Sequence, residues 1–254
     1  MLKWISIFSL FICLNSFSKN LGHRAGGGKG EFHSDLPENS LLALKASLLG
    51  RNGNKPIQFD EEFHYLEFDI QETADGEVVI FHDKHLTRML PESRNYFQYK
   101  KILSDKKVLN RMGKKKAKLS DLRIKYLTLY QLKKLSLNFT LFSESSKVPT
   151  LEEFLNSAMR WNLKKPIAID IKYINTKKGR YKVLETIKKF KIDYMKQIDP
   201  IFTKKYDMSR SGISFISFPW NFKSSFGKKW CSVFKKYGHN RIYRAQKHSI
   251  NLCK

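Results

Sequence analysis

Four short pieces of this 254-residue chain carry side chains able to do chemistry. The first is Glu67-Phe68-Asp69. Positions two apart on a strand point the same way, about 7 Å apart. Two carboxylates on one strand face ordinarily mark a solvated face. Here Leu66, Phe68 and Ile70 take the opposite face, and the rhythm of neighbouring elements predicts helices over it. A strand buried on both faces keeps two anions only to bind something, and a hard divalent cation, Ca²⁺ or Mg²⁺, suits such oxygens. Asp170-Ile171-Lys172 repeats the spacing with opposite charges. Asp170 there completes a metal site and Lys172 faces a phosphate, or the two form a simple ion pair across a strand end. His82-Asp83 ends the apolar run Val78 to Phe81. That is where parallel strands present active-site residues, although alone it reads equally well as a surface histidine. His23-Arg24 follows the first candidate strand.

The elements that position these pieces follow from punctuation and periodicity. Glu38-Asn39-Ser40 precedes a helix from Leu41 to Leu49, stopped by Gly50. Tyr65 to Ile70 and Val78 to Phe81 read as strands around a tight turn at Ala74-Asp75-Gly76. Thr128 to Gln131 and Thr150 to Glu153 are capping-box patterns, the second opening a helix to about Trp161. Pro166 to Ile171 and Ile213 to Phe218 read as strands, with helical spacing from Tyr181 to Phe190 between them. Strands alternating with helices predict βα units on a parallel sheet. The stretch Tyr99 to Lys134, with 13 basic and 2 acidic residues, reads as a loop insertion plus a helix with a solvated basic face.

Charge is uneven. The chain has 48 Lys and Arg against 23 Asp and Glu, a net of +25. Residues 1–98 carry −3 and residues 99–254 carry +28. Such a surplus favours anionic partners, namely phosphates, anionic lipid surfaces or nucleic acid. No nucleic-acid module is readable. Three cysteines (Cys13, Cys231 and Cys253) exclude a disulfide scaffold. No run reaches 18 apolar residues, so no ordinary membrane span is expected. Gly26, Gly27, Gly28 and Gly30 with Lys29 lack the Gly-Lys-Ser/Thr ending of a nucleotide loop. There is no Cys/His zinc spacing and no readable Ser-His-Asp arrangement. Lys3, the apolar run Trp4 to Leu14, and Ser16 and Ser18 read as an export signal over residues 1–18, so the chain is expected to be periplasmic or secreted. Ile12 is too large for the position before a lipidated cysteine, which argues against anchoring at Cys13.

In order and at these strand ends, the pieces resemble the glycerophosphodiester phosphodiesterases. The matching segments are GHRAGGG at 22–28, PENS at 37–40 and LEFDIQETADGEVVIFHD at 66–83, followed by Leu86, Thr87 and Arg88. VPTLEEFL at 148–155, IAIDIKY at 167–173 and Ser-Phe at 217–218 continue the match. The resemblance implies an α/β fold, a TIM-type (βα)₈ barrel with its site at the C-terminal mouth. It implies metal ligands at Glu67, Asp69 and Asp170, and a catalytic pair at His23 and His82. It places phosphate binding on Arg24 and Lys172, with Glu38 and Asn39 supporting the site. The implied activity is metal-dependent hydrolysis of glycerophosphodiesters to glycerol phosphate and an alcohol. A lysophospholipid is a related substrate, and the basic half suits peripheral contact with an anionic membrane.

Three departures qualify the match. Asp170 stands where the family has Glu and is one methylene shorter. Ala25 replaces the Gly after His-Arg, and the loop Ala25 to Leu36 is extended. Only 36 residues follow Phe218, with no clear pair of strands, so residues 19–218 are expected to form a barrel lacking its last two or three βα units. Residues 219–254 are left as a basic tail. An inactive remnant, or a basic protein binding anionic surfaces, are the alternative readings.

Overall fold

The computed structural model describes residues 20–137, 146–165, 167–195, 213–216, 241–243 and 249–251. The expected export segment, Ser217-Phe218 and most of the basic tail lie outside the described residues.

The carboxylate-bearing strands form the middle of the sheet. β1 (Leu66–Glu72) is buried along its whole length. β2 (Val78–Ile80) pairs with it antiparallel, across a turn in which Gly76 has φ +85°. β3 (Ile167–Tyr173) lies parallel on the other side of β1, then β4 (Ile213–Ile216) and β5 (Arg241–Tyr243), also parallel. β6 (Ser249–Asn251) closes the row antiparallel, giving the order β2-β1-β3-β4-β5-β6. The α/β class is as expected. Among the described residues the strands form an open row of six, not a ring of eight. β5 and β6 correct the expectation that no strand pair follows Phe218: each spans three residues, too short for alternation to register in the sequence.

Register explains the two faces of the sheet. Leu66, Phe68 and Ile70 pair with Ile167, Ile169 and Ile171, which makes one face apolar. Helices α1 (Leu41–Leu49), α5 (Leu151–Arg160) and α6 (Lys177–Met195) contribute to the same core through Leu44, Phe154 and Ile187. Phe68 is fully buried, its ring centroid 4.7 Å from that of Phe154. The opposite face carries Glu67, Asp69 and Gln71 on β1, and Asp170 and Lys172 on β3. Asp69 and Asp170 are direct register partners. Neighbouring strands lie about 4.8 Å apart, so the two carboxylates stand side by side.

The helix starts follow the sequence closely. Ser40 accepts from the Ala43 amide at the head of α1, and the Thr150 capping box opens α5. The basic stretch differs from expectation. It is mainly helical, with α2 (Glu92–Ser104), α3 (Lys106–Met112) and α4 (Leu129–Lys134), the last opened by the Thr128 capping box. Tyr99, Ile102, Val108, Leu122, Ile124, Leu127 and Leu132 form a second core with Val79 and Phe81. Burial of these residues holds the segment as a compact cap against β2, despite its charge.

Candidate active site

The first loop is shaped to meet the polar face of the sheet. His23–Gly26 forms a tight 3₁₀ turn; residues 20–22, directly before it, form no strand. Arg24 and Ala25 take left-handed backbone angles, φ 48° and 60°. A non-glycine residue there costs about 1–2 kcal/mol, which a glycine in place of Ala25 would avoid. Ser47 Oγ donates to the Ala25 carbonyl at 2.8 Å, and the Asn39 amide donates to the Arg24 carbonyl at 3.0 Å. The Arg24 amide donates to Glu67 Oε2 at 2.7 Å. Asn39, itself left-handed at φ 57°, clamps Asp69 from both ends: its Nδ2 donates to Oδ2 at 2.8 Å, and its Oδ1 accepts from the Asp69 amide at 3.2 Å.

Glu67, Asp69 and Asp170 are all buried, and each offers an oxygen within 4.8 Å of the others'. Lys172 Nζ lies 2.6 Å from Asp170 Oδ2 and 3.2 Å from Asp69 Oδ1. Burial, and then the charge of Asp69, push the Glu67 carboxyl well above its usual range. Burial likewise raises Asp170 against the pull of Lys172. Burial opposes the Lys172 charge, yet Asp69 and Asp170 hold its pKa above the ordinary lysine value. With all three carboxyls ionised, as a bound cation requires, they exceed the one ammonium by two negative charges. Asp170 Oδ1 is buried without a hydrogen-bond partner. An all-oxygen donor set with that excess fits a divalent cation, and the shorter Asp170 still reaches the cluster.

Beside this cluster stand the two histidines, each backed by a carboxylate. Arg24 Nη2 lies 2.9 Å from His82 Nε2. A guanidinium only donates, so Nε2 accepts, and the ring proton sits on Nδ1, 2.8 Å from Asp83 Oδ1. His23 Nδ1 lies 3.0 Å from Glu31 Oε1, and its Nε2 lies 3.8 Å from Glu67 Oε2. Glu38 is buried between two arginines. It accepts from Arg24 Nη1 at 2.9 Å, and from Arg88 at 2.9 and 2.6 Å. Arg88 also forks onto Asp83 at 2.5 and 2.7 Å. Burial raises the Asp83 carboxyl, but hydrogen bonds from His82 and Arg88 outweigh it and hold the group far below its usual range. Gly28 makes room for this arrangement: at φ +104°, a Cβ there would lie 2.9 Å from the Glu38 Cβ.

All nine residues predicted from sequence therefore meet on one side of the sheet. Three more join them. Arg88 was visible only as part of a matching segment. Gln71 continues the Glu67, Asp69 spacing by one further step; its Nε2 donates to the carbonyls of Phe81 and Asp83, fixing the backbone on both sides of His82. Glu31 lies in the extended loop, where no spacing marks it. His33 is buried in that loop, and its pKa is lowered by burial and by Arg51.

Fold and site together define an α/β protein with a carboxylate cluster fit for a divalent cation, flanked by two carboxylate-backed histidines. The model of the glycerophosphoryl diester phosphodiesterase family matches residues 23–224, and the chain belongs to that family. No curated protein sequence matches it. Among solved structures it is similar to a glycerophosphodiester phosphodiesterase from Agrobacterium tumefaciens, at 16% identity and a TM-score of 0.45, with 82% of this chain and 60% of that one covered. The chain thus spans less than two thirds of that relative. A glycerophosphodiester phosphodiesterase from Thermotoga maritima shares 19% identity at a TM-score of 0.40, covering 84% and 70%. A phosphodiesterase from Oleispira antarctica, solved with the product sn-glycerol-3-phosphate, shares 16% at a TM-score of 0.40, covering 83% and 70%.

Proposed function

We propose that the chain hydrolyses glycerophosphodiesters to glycerol phosphate and an alcohol, with Glu67, Asp69 and Asp170 holding Ca²⁺ or Mg²⁺. The observation that carries this is the buried carboxylate trio beside His23 and His82, in a chain of this family. A divalent cation bound there supplies Lewis-acid polarisation of a phosphoryl oxygen.

The chain's own residues do the rest. A phosphodiester is anionic and repels nucleophiles, so its charge must be met. Lys172 stands beside the cluster as a point charge, and Arg24 offers the planar fork suited to two phosphate oxygens. Substrate phosphate competes with Glu38 and His82 for that guanidinium. Arg88 keeps Glu38 paired while Arg24 turns to substrate. One imidazole accepts a proton from the attacking water, whose oxygen bonds to phosphorus, and the other protonates the alkoxide that leaves as the alcohol. Asp83 holds the His82 tautomer that leaves Nε2 free of a proton, and Glu31 stands in the same relation to His23.

Incubation with glycerophosphocholine tests the reading. Glycerol phosphate and choline should appear in equal amounts. His23→Ala or His82→Ala should each lower turnover by at least about 10²-fold, the scale of general acid–base catalysis. Near-native turnover in either variant contradicts the assignment.

A further inference from the structure

The cap built from residues 91–137 presents a surface that the chemistry of the site does not use. This segment holds 14 Lys and Arg against 3 Asp and Glu, a net of +11. Its apolar side chains are largely consumed by the second core, but Tyr130 on α4 and two neighbouring rings on α2 are exposed. Tyr96 and Phe97 are 53% and 74% exposed, packed edge to face with ring centroids 5.5 Å apart. On α2, Asn95, Tyr99 and Ile102 form the buried side. At 100° per residue, Phe97 lies almost diametrically opposite them. Around the exposed side the order is Tyr96, Lys100, Ser93, Ser104, Phe97, Lys101, Arg94, so cations stand beside both rings.

The charge continues beyond α2. Lys106 and Lys107 are exposed at the start of α3, and Lys114, Lys115, Lys116 and Lys118 follow it. Of these, Lys114 pairs with Asp121 at 2.8 Å. Asn95 and Ser136 exchange two hydrogen bonds that tie the segment just after α4 to the first turn of α2. At that corner Lys147 Nζ reaches the Lys134 carbonyl. Burial and the charge of Lys134 lower the Lys147 pKa, as expected where cations crowd without a counter-ion.

We propose that this face of the cap docks on the surface of an anionic phospholipid bilayer, with Phe97 and Tyr96 entering the interface and the lysines meeting headgroup phosphates. A convex helix with aromatic rings among cations matches the composition of interfacial helices. A cationic surface is complementary to an anionic leaflet, each lysine contributing about 1 kcal/mol, or about fivefold in partition. Single-stranded nucleic acid instead favours grooves lined by stacking platforms. Among the described residues no helix is long and apolar enough to cross a membrane. The surface adjoins the site: α2 starts four residues after Arg88, and the Tyr99 hydroxyl donates to the Leu90 carbonyl at 2.6 Å. Docking would present the site to lipid headgroups.

Sedimentation of the full chain with vesicles tests this independently of turnover. Binding is expected to mixed phosphatidylcholine–phosphatidylglycerol vesicles and not to pure phosphatidylcholine. Lys100→Gln with Lys101→Gln should weaken the partition roughly 25-fold, from about fivefold per lysine. Phe97→Ser should weaken it about tenfold, as expected for losing the burial of one phenyl ring. Lys106→Gln with Lys107→Gln provides a second pair on another helix, with the same direction expected. Equal binding to both vesicle types, unchanged partition in all three variants, or binding to polyuridylate without binding to vesicles overturns the proposal.

Discussion

Lys172→Met tests whether the carboxylate trio is built around a missing charge. In the folded protein the Lys172 ammonium lies within 4 Å of both Asp69 and Asp170, whose side chains are 1% and 3% exposed. Methionine keeps much of the volume and removes the charge, leaving three buried carboxylates. Breaking a buried pair by removing one partner costs about 3–5 kcal/mol. Glu67, whose pKa is already raised, can take up a proton and relieve part of the repulsion. The expected loss in chelator therefore lies near the lower end, about 3 kcal/mol. For a chain of this length each kcal/mol moves Tm by about 2–4 °C, so the variant should melt about 10 °C below the parent. A bound divalent cation replaces the lost charge. At about 100 times its Kd it returns about 2.7 kcal/mol, and the gain should be larger in the variant, where no ammonium competes. Differential scanning calorimetry in chelator and in Ca²⁺ or Mg²⁺ reads both effects. Lys189→Met removes an exposed partner of Glu152 and should shift Tm by less than about 3 °C, as for other surface pairs. If Lys172→Met melts with the parent in chelator, or if the cation raises neither Tm, the reasoning fails.

Two further outcomes follow from the packing and the paired charges. Asp83 is held below its usual pKa, so its contribution to stability is present above about pH 4 and is lost as pH falls below the unfolded value of 3.8. The stability gap between the parent and Asp83→Asn should therefore narrow as urea midpoints are measured from pH 6 down to pH 3; a constant gap contradicts this. Phe68→Ala empties the fully buried position against Phe154 and should cost about 3–5 kcal/mol in urea unfolding, while leaving the polar face of β1 intact. A loss below about 1 kcal/mol would show that the apolar face is not packed as described.

Much of the site was legible because it rests on short-range geometry. An i, i+2 spacing puts Glu67 and Asp69 on one face without knowledge of the fold. Capping boxes at Thr128 and Thr150 mark helix starts through bonds confined to four residues. What the sequence hides are contacts set by three-dimensional arrangement. Arg88 meets Glu38 across 50 residues, and Gln71 reaches carbonyls either side of His82. Glu31 finds His23 only because the loop folds back. The cap reads from sequence as a loop insertion plus one helix, not three, because its lysines dominate composition, while Tyr99, Ile102 and Val108 keep a helical spacing too sparse to stand out among them. Two three-residue strands, β5 and β6, carry too few residues for any period to show.

The central claim, a cation-dependent phosphodiesterase site on this sheet, is tested most directly by glycerol phosphate release from glycerophosphocholine by the full chain under three conditions. Release should proceed with Ca²⁺ or Mg²⁺, stop with excess chelator, and resume when the cation is restored. Release that continues unchanged in chelator, or no release with either cation, contradicts the account.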